Sequence, residues 1–400
     1  DLSRTAGSLA PAAILLCAVA VGAVGLCLAA GSSRAPSSGG IYALIEEAFG
    51  DGVGFVSGTL FTFSNLLAAG AVCAALGDAI ASIAPPPDQM LVRILAVLCS
   101  VGGIAAINMA GVAGGARLVS LATVLKMAPL LIFLCAGVFA VKGANFVRPT
   151  AVRAEDMGRA MLLMLFAFQG FEGALSASGE VRDPTRTIPR ALLLGIGAVA
   201  VLYAALQFVA QGLLGSALAQ SKVPLADAIN VAYPALRSLM LAAVAISMFG
   251  WITSDLMANP RILFAFGRDG SLPRILGQLN RKHSPYVAIA CYGMIEIALA
   301  LSGSFASLAE SAALILSVLY IAACAASWEL ARRDVRLAGT PVQFRGLGFA
   351  ALFGSLSMVA VIVVSPRDQI LGVLAFTAVG AVLYLVKAGL VRRRGVATLS

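Results

Sequence analysis

Residues 166–190 read FAFQGFEGALSASGEVRDPTRTIPR. The stretch opens inside an apolar segment, sets Glu172 between Gly170 and Gly173, and ends in a polar turn where Arg182, Arg186 and Arg190 accompany Glu180 and Asp183. A carboxylate between two glycines is the odd element: hydrocarbon does not tolerate the charge, and each glycine weakens a helix by about 1 kcal/mol relative to alanine. The pattern predicts a helix that unwinds partway along its length. Non-helical backbone at membrane depth is permitted only where it is buried in protein or lines a cavity. Discontinuous helices of this kind let a protein turn free backbone N–H and C=O groups toward a small ligand, and a half-helix N-terminus attracts an anionic group such as a carboxylate. On that reading Glu172 is the acceptor that holds the unwound segment, Gln169, Gly170 and Gly173 belong to it, and Phe168 or Phe171 covers the ligand. The competing reading is a continuous helix whose small residues pack against a neighbour.

The surrounding chain is consistent with a bilayer setting. Of 400 residues, 60% are hydrophobic and only 12% charged, and mean hydropathy is positive, a profile rare among soluble domains. A spanning helix needs roughly 20 mostly apolar residues. Scanning for them gives eleven candidates, near 11–31, 53–82, 89–109, 117–141, 158–178, 190–214, 235–266, 286–304, 308–328, 346–364 and 368–390. No soluble domain remains, so residues 1–400 are expected to form one polytopic, all-α domain. The seven cysteines lie in apolar runs without metal-ligand spacing, and His283 is the single histidine; no metal site or cofactor is expected. A net charge of +9 is scattered among loops between spans and forms no basic face for nucleic acid.

Those charges instead set topology. Threading the spans alternately across the bilayer puts eighteen of the 28 Lys and Arg residues in one set of loops and nine in the other, with Lys126 inside a span. The positive-inside rule then places the C-terminus in the cytoplasm of a multi-pass cell-membrane protein. An odd number of spans puts the N-terminus outside. Because the sequence opens at DLSRTAG without a methionine or a cationic signal region, the expectation is a chain that lacks a first span; a genuine eleven-span protein is the alternative.

Ionisable residues within spans are expensive and serve as default functional hypotheses. Besides Glu172 these are Lys126, Asp255 and Glu296. Lys126 lies about 12 Å into its span and Asp255 about 9–20 Å from the cytoplasmic end of another; the depths are compatible, so a Lys126–Asp255 interaction would reduce the penalty of both charges. Snorkelling of Lys126 to the interface is the alternative. Glu296 has no evident partner and reads as structural or lipid-boundary. Ser64 and Asn65, mid-span in LFTFSNLLAAG, are candidate cavity-lining groups or interhelical glue.

Three motifs carry a family resemblance. SSRAPSSGGIYALIEEAFG (Ser32–Gly50), with Pro36, Ser38, Gly39, Gly40 and Tyr42, resembles the loop and following helix of amino acid–polyamine–organocation (APC) permeases. FAFQGFEG with GEVRDPTRTIPRA resembles that family's sixth helix and the loop after it, and PRILFAFGRDGSLP (Pro260–Pro273) the end of its eighth. The resemblance covers essentially the whole chain. It implies a LeuT-type fold of twelve helices in two inverted repeats, with a substrate site between broken first and sixth helices; this chain would supply about eleven, family helices two to twelve. It also matches Lys126 to a fifth-helix lysine that in some relatives stands where others hold a cation.

The combined expectation is a secondary transporter of an amino acid or related amine, working by alternating access with proton coupling or exchange. The substrate would bind at Phe168–Gly173 with Ser64 and Asn65, and Lys126 and Asp255 would couple or gate. A membrane-embedded enzyme would show a His/Asp or metal-ligand cluster, and the sequence has none. A sensor or accessory subunit that binds without translocating is the alternative.

Overall fold

The computed structural model describes residues 10–35, 40–110, 127–146, 154–176, 181, 183–221, 223–268, 272–337 and 340–397. These residues fold as helices: α1 (Ala10–Arg34), α2 (Ile41–Phe49), α3 (Asp51–Ala81), α4 (Gln89–Met109), α5 (Met127–Ala140), α6 (Ala154–Phe168), α7 (Gly173–Ser176), α8 (Pro184–Leu214), α9 (Pro224–Ala232), α10 (Arg237–Ala258), α11 (Pro260–Arg268), α12 (Tyr286–Ser302), α13 (Phe305–Arg332), α14 (Leu347–Val364) and α15 (Arg367–Ala397). Among the described residues, eight helical segments are long and apolar enough to cross a membrane. The other three expected spans contain shorter helices: α5, the 17-residue α12, and α6 with α7, which are separated by residues 169–172. The chain is a multi-pass membrane protein whose regular structure, among the described residues, is all helical.

The chain divides into two compact units. The first comprises Asp1–Ser64, Arg148–Ala205 and Glu310–Ser400, the second Asn65–Val147 and Leu206–Ala309.

In the first unit α1 packs on α14 and α6, and α14 on α6. Helix α1 shows why. Pro11 sits in its first turn, where its missing N–H does no harm, and Arg34 closes its last turn beside the negative end of the helix dipole. Val21, Val24 and Leu28 are buried, while Leu15, Leu16 and Val19 stay exposed, an apolar face suited to lipid rather than water. Small residues allow close approach: a Cβ at Gly25 would collide with Ile196 Cδ1 on α8, and one at Gly158 with the Val364 carbonyl oxygen. At the end of α1, Arg34 reaches Asp334 at 3.3 Å and Asp334 also pairs with Arg336 at 2.6 Å. The Ser33 hydroxyl accepts the Val342 N–H at 3.1 Å.

In the second unit α4 packs on α12 and α10. Its core joins Leu66, Cys73, Val97, Val101, Ile252, Leu256 and Tyr292. The expected span 235–266 is two helices, α10 and α11, divided at Asn259; Pro260 has no N–H to continue the ladder.

Candidate functional site

The helix that begins at Ala154 stops at Phe168 and resumes at Gly173. The interruption is built locally. Gly170 takes φ = 111°, a conformation that L side chains rarely adopt and glycine adopts freely. Around it the helical ladder gives way to tighter bonds, Gln169 N–H to Phe166 O and Gly173 N–H to Gly170 O, both at 3.1 Å. The Gly170 N–H itself turns to the Glu172 carboxylate, at 3.0 and 3.2 Å to its two oxygens.

Glu172 is only 3% exposed, so the remaining capacity of its carboxyl needs a donor. Tyr320 of α13 supplies it, its hydroxyl donating to Oε2 at 3.0 Å. The Phe171 ring lies 5.5 Å from the Tyr320 ring. Glu172 is thus the acceptor that ties the turn together and to α13.

Ser64 is fully buried and donates to the Ala312 carbonyl of α13 at 2.9 Å. Its oxygen also receives the Gln169 amide at 3.3 Å, while Gln169 Oε1 is buried without a partner. Ser64 is therefore joined to the interruption through Gln169. Asn65 is half-buried and falls in the second unit.

A cavity of about 300 Å³ adjoins the turn within the first unit. Phe168, Gln169, Gly170, Phe171 and Ala174 form one side, and Leu192, Gly195, Ile196, Val199 and Tyr203 of α8 the other. A Cβ at Gly170 would meet nothing within 4 Å, so its backbone lies open. The wall is apolar and aromatic, with the Gln169 amide and Tyr203 hydroxyl as its side-chain polar groups and no ionisable carboxyl or amine among the lining residues. Phe168 packs against Tyr203 with ring centroids 5.6 Å apart.

Of the residues singled out for coupling, Lys126 lies outside the described residues. Asp255 is 7% exposed and accepts the Asn259 amide at 2.6 Å. Of the two readings of Glu296, structural or lipid-boundary, burial goes against the second: it is fully buried and accepts the Cys73 thiol at 2.8 Å. Tyr320 and Tyr203 at the turn, and Cys73 and Tyr292 beside the acids, escaped the sequence reading. The available signal was a tyrosine inside an apolar span, whose hydroxyl seeks a partner when buried.

Comparison with known proteins bears on these features. A family model described as amino acid permease matches residues 2–386. The branched-chain amino acid permease BcaP of Lactococcus lactis is 27% identical over 319 residues, covering 74% of this chain and 69% of that protein. An uncharacterized transporter of Mycobacterium tuberculosis is 31% identical over 312 residues, covering 73% and 68%. Mouse solute carrier family 7 member 12 is 24% identical over 281 residues, covering 66% and 59%. The chain belongs to the amino acid permease family, transport proteins rather than enzymes, within the amino acid–polyamine–organocation superfamily.

Proposed function

We propose that the protein carries an amino acid or related amine across the cell membrane by alternating access, in a LeuT-type arrangement that uses both units as one polytopic domain with a cytoplasmic C-terminus. The observation that carries this reading is the interruption at Gly170, open to a cavity and held by Glu172 and Tyr320. Backbone groups of Phe168–Gly173 would grip the charged main-chain groups of the substrate, and Gln169 and Ser64 would support that turn. Asn65 remains a candidate from the sequence alone. The apolar wall from Leu192 to Tyr203 suits an uncharged side chain, because a charged one would enter a low-dielectric cleft without a counter-charge among the lining residues. The name of the Lactococcus relative, a branched-chain amino acid permease, supports the same preference. Lys126 and Asp255 are the proposed coupling or gating residues.

The test is uptake of radiolabelled neutral, acidic and basic amino acids by proteoliposomes containing the protein, with the same ligands in a binding assay. Accumulation of a neutral amino acid, competed by its unlabelled form, is the expected result. Binding without accumulation would convert the protein into a sensor and overturn the transport reading.

A further inference from the structure

The second unit contains a group of polar side chains that the substrate cavity does not use. Asp255 lies on α10, Tyr292 and Glu296 lie four residues apart on one face of α12, and Cys73 lies on α3. Tyr292 and Glu296 are fully buried and Asp255 is 7% exposed. Tyr292 lies in the electrostatic reach of both carboxyls, and the two carboxyls in reach of each other. One oxygen of each acid is engaged by a neutral donor, Asp255 Oδ1 by the Asn259 amide and Glu296 Oε1 by the Cys73 thiol. The other oxygens, Asp255 Oδ2 and Glu296 Oε2, have no hydrogen bond of ordinary geometry, and neither has Tyr292 Oη, although the Tyr292 hydroxyl stands close enough to Asp255 and Asn259 to interact with both.

Three unsatisfied buried atoms on three adjacent residues form an incomplete set, since buried polar groups in native proteins are almost always paired. Two ionised carboxylates in one apolar cluster also repel each other, and neither the amide nor the thiol offsets a charge. Among the described residues, the basic groups on these elements are engaged or exposed, Arg237 at the start of α10 pairing with Asp227 at 3.5 Å. Arg93 of α4 pairs with Asp78 at 2.9 Å and donates to the Ala300 and Gly303 carbonyls, beyond Glu296 on α12. Arg261 and Arg268 of α11 are exposed. A proton on one of the two acids would remove that repulsion and supply a donor for one of the unpaired oxygens.

We propose that Asp255, Tyr292 and Glu296 form a proton-binding site, in which one proton is held between the two carboxyls with the Tyr292 hydroxyl as the bridge. The exchange balances: as the proton on Glu296 Oε2 passes to Tyr292 Oη, the phenolic hydrogen passes to Asp255 Oδ2, and the total charge is unchanged. Coupling of this proton to amino acid movement rests on the transport function proposed above; the site itself does not.

Infrared spectroscopy of the purified full chain tests the site directly. A protonated carboxyl band is expected that shifts in D2O and titrates with pH. Glu296→Gln and Asp255→Asn should each remove or displace it. Tyr292→Phe, the variant most conservative of packing, should move its titration midpoint, which a purely structural tyrosine would not do. Absence of such a band, or a band identical in all three variants, overturns the proposal; a Lys126 that neutralises Asp255 would give that result. In proteoliposomes with a trapped pH-sensitive dye, proton entry per amino acid should fall to background in Glu296→Gln. Unchanged proton entry removes the coupling role. Wild-type vesicles that show the infrared band but no uptake would defeat the transport reading and leave the proton site standing.

Discussion

Replacing Gly170 by alanine isolates the backbone conformation on which the proposed substrate site depends. A Cβ at this position meets nothing within 4 Å, so the substitution introduces no collision. What it introduces is strain, because φ = 111° is sparsely populated for any residue with a side chain and holding one there costs about 1–3 kcal/mol. Gly173 is the matched control. It also faces open space, but it begins α7 with a helical φ, so alanine there gains between a few tenths and about 1 kcal/mol of helix propensity. If the interrupted conformation is the one that binds substrate, Gly170→Ala should weaken binding by about 5- to 150-fold, the equivalent of 1–3 kcal/mol. Gly173→Ala, which belongs to the same turn but needs no positive φ, should weaken binding less than Gly170→Ala. The assay is equilibrium binding of a radiolabelled neutral amino acid to purified protein, with the thermal unfolding midpoint measured in parallel. Equal affinity for wild type and Gly170→Ala, or equal losses in both variants, would refute the link between the φ of Gly170 and the site.

Other substitutions test the supports. Glu172→Ala leaves the buried Tyr320 hydroxyl without its acceptor, a loss of about 1–3 kcal/mol. It should lower the unfolding midpoint more than Glu172→Gln, which retains one carbonyl oxygen, and equal midpoints would discount the tether. Gly158→Ala drives a Cβ toward the Val364 carbonyl and should destabilise by about 1–3 kcal/mol or more, whereas Gly102→Ala, with nothing within 4 Å, should be neutral or slightly stabilising. Hydrogen bonding from Arg336, then from Arg34, holds the Asp334 carboxyl below the ordinary carboxylate range. That contribution is present above the unfolded value, about 3.9, and is lost as pH falls through the lower folded one. Proteolysis of the segment after α13 should therefore accelerate in acid, and Asp334→Asn should show the fast rate already at neutral pH; a rate indifferent to both would remove the ion pairs from the account.

The interruption was legible because its causes are local: two glycines and a carboxylate within four positions, in a segment otherwise apolar. Apolar run lengths likewise located the helices, and Pro260 explains why one expected span is two. What holds the turn was not legible. Tyr320 is 148 residues from Glu172, and no periodicity in either segment reports that they meet. Glu296 shows the same limit more sharply. On its own helix it is a lone acid among apolar residues, and only the folded neighbours, Cys73 at a separation of 223 residues and Tyr292 one turn away, decide between a structural and a lipid-boundary place for it. Lys126, the most conspicuous cation in the sequence, lies outside the described residues, so its pairing with Asp255 stands as a sequence expectation.

The interruption is fastened to α13 at two heights, through Ser64 to the Ala312 carbonyl and through Glu172 to the Tyr320 hydroxyl. Those anchor points are eight residues apart, about 12 Å along the helix axis. A joint pinned twice to the same rod does not swivel alone. Any rearrangement there must drag α13 with it or part both links together, so the first unit is built to shift as a block, with little room for a loose flap.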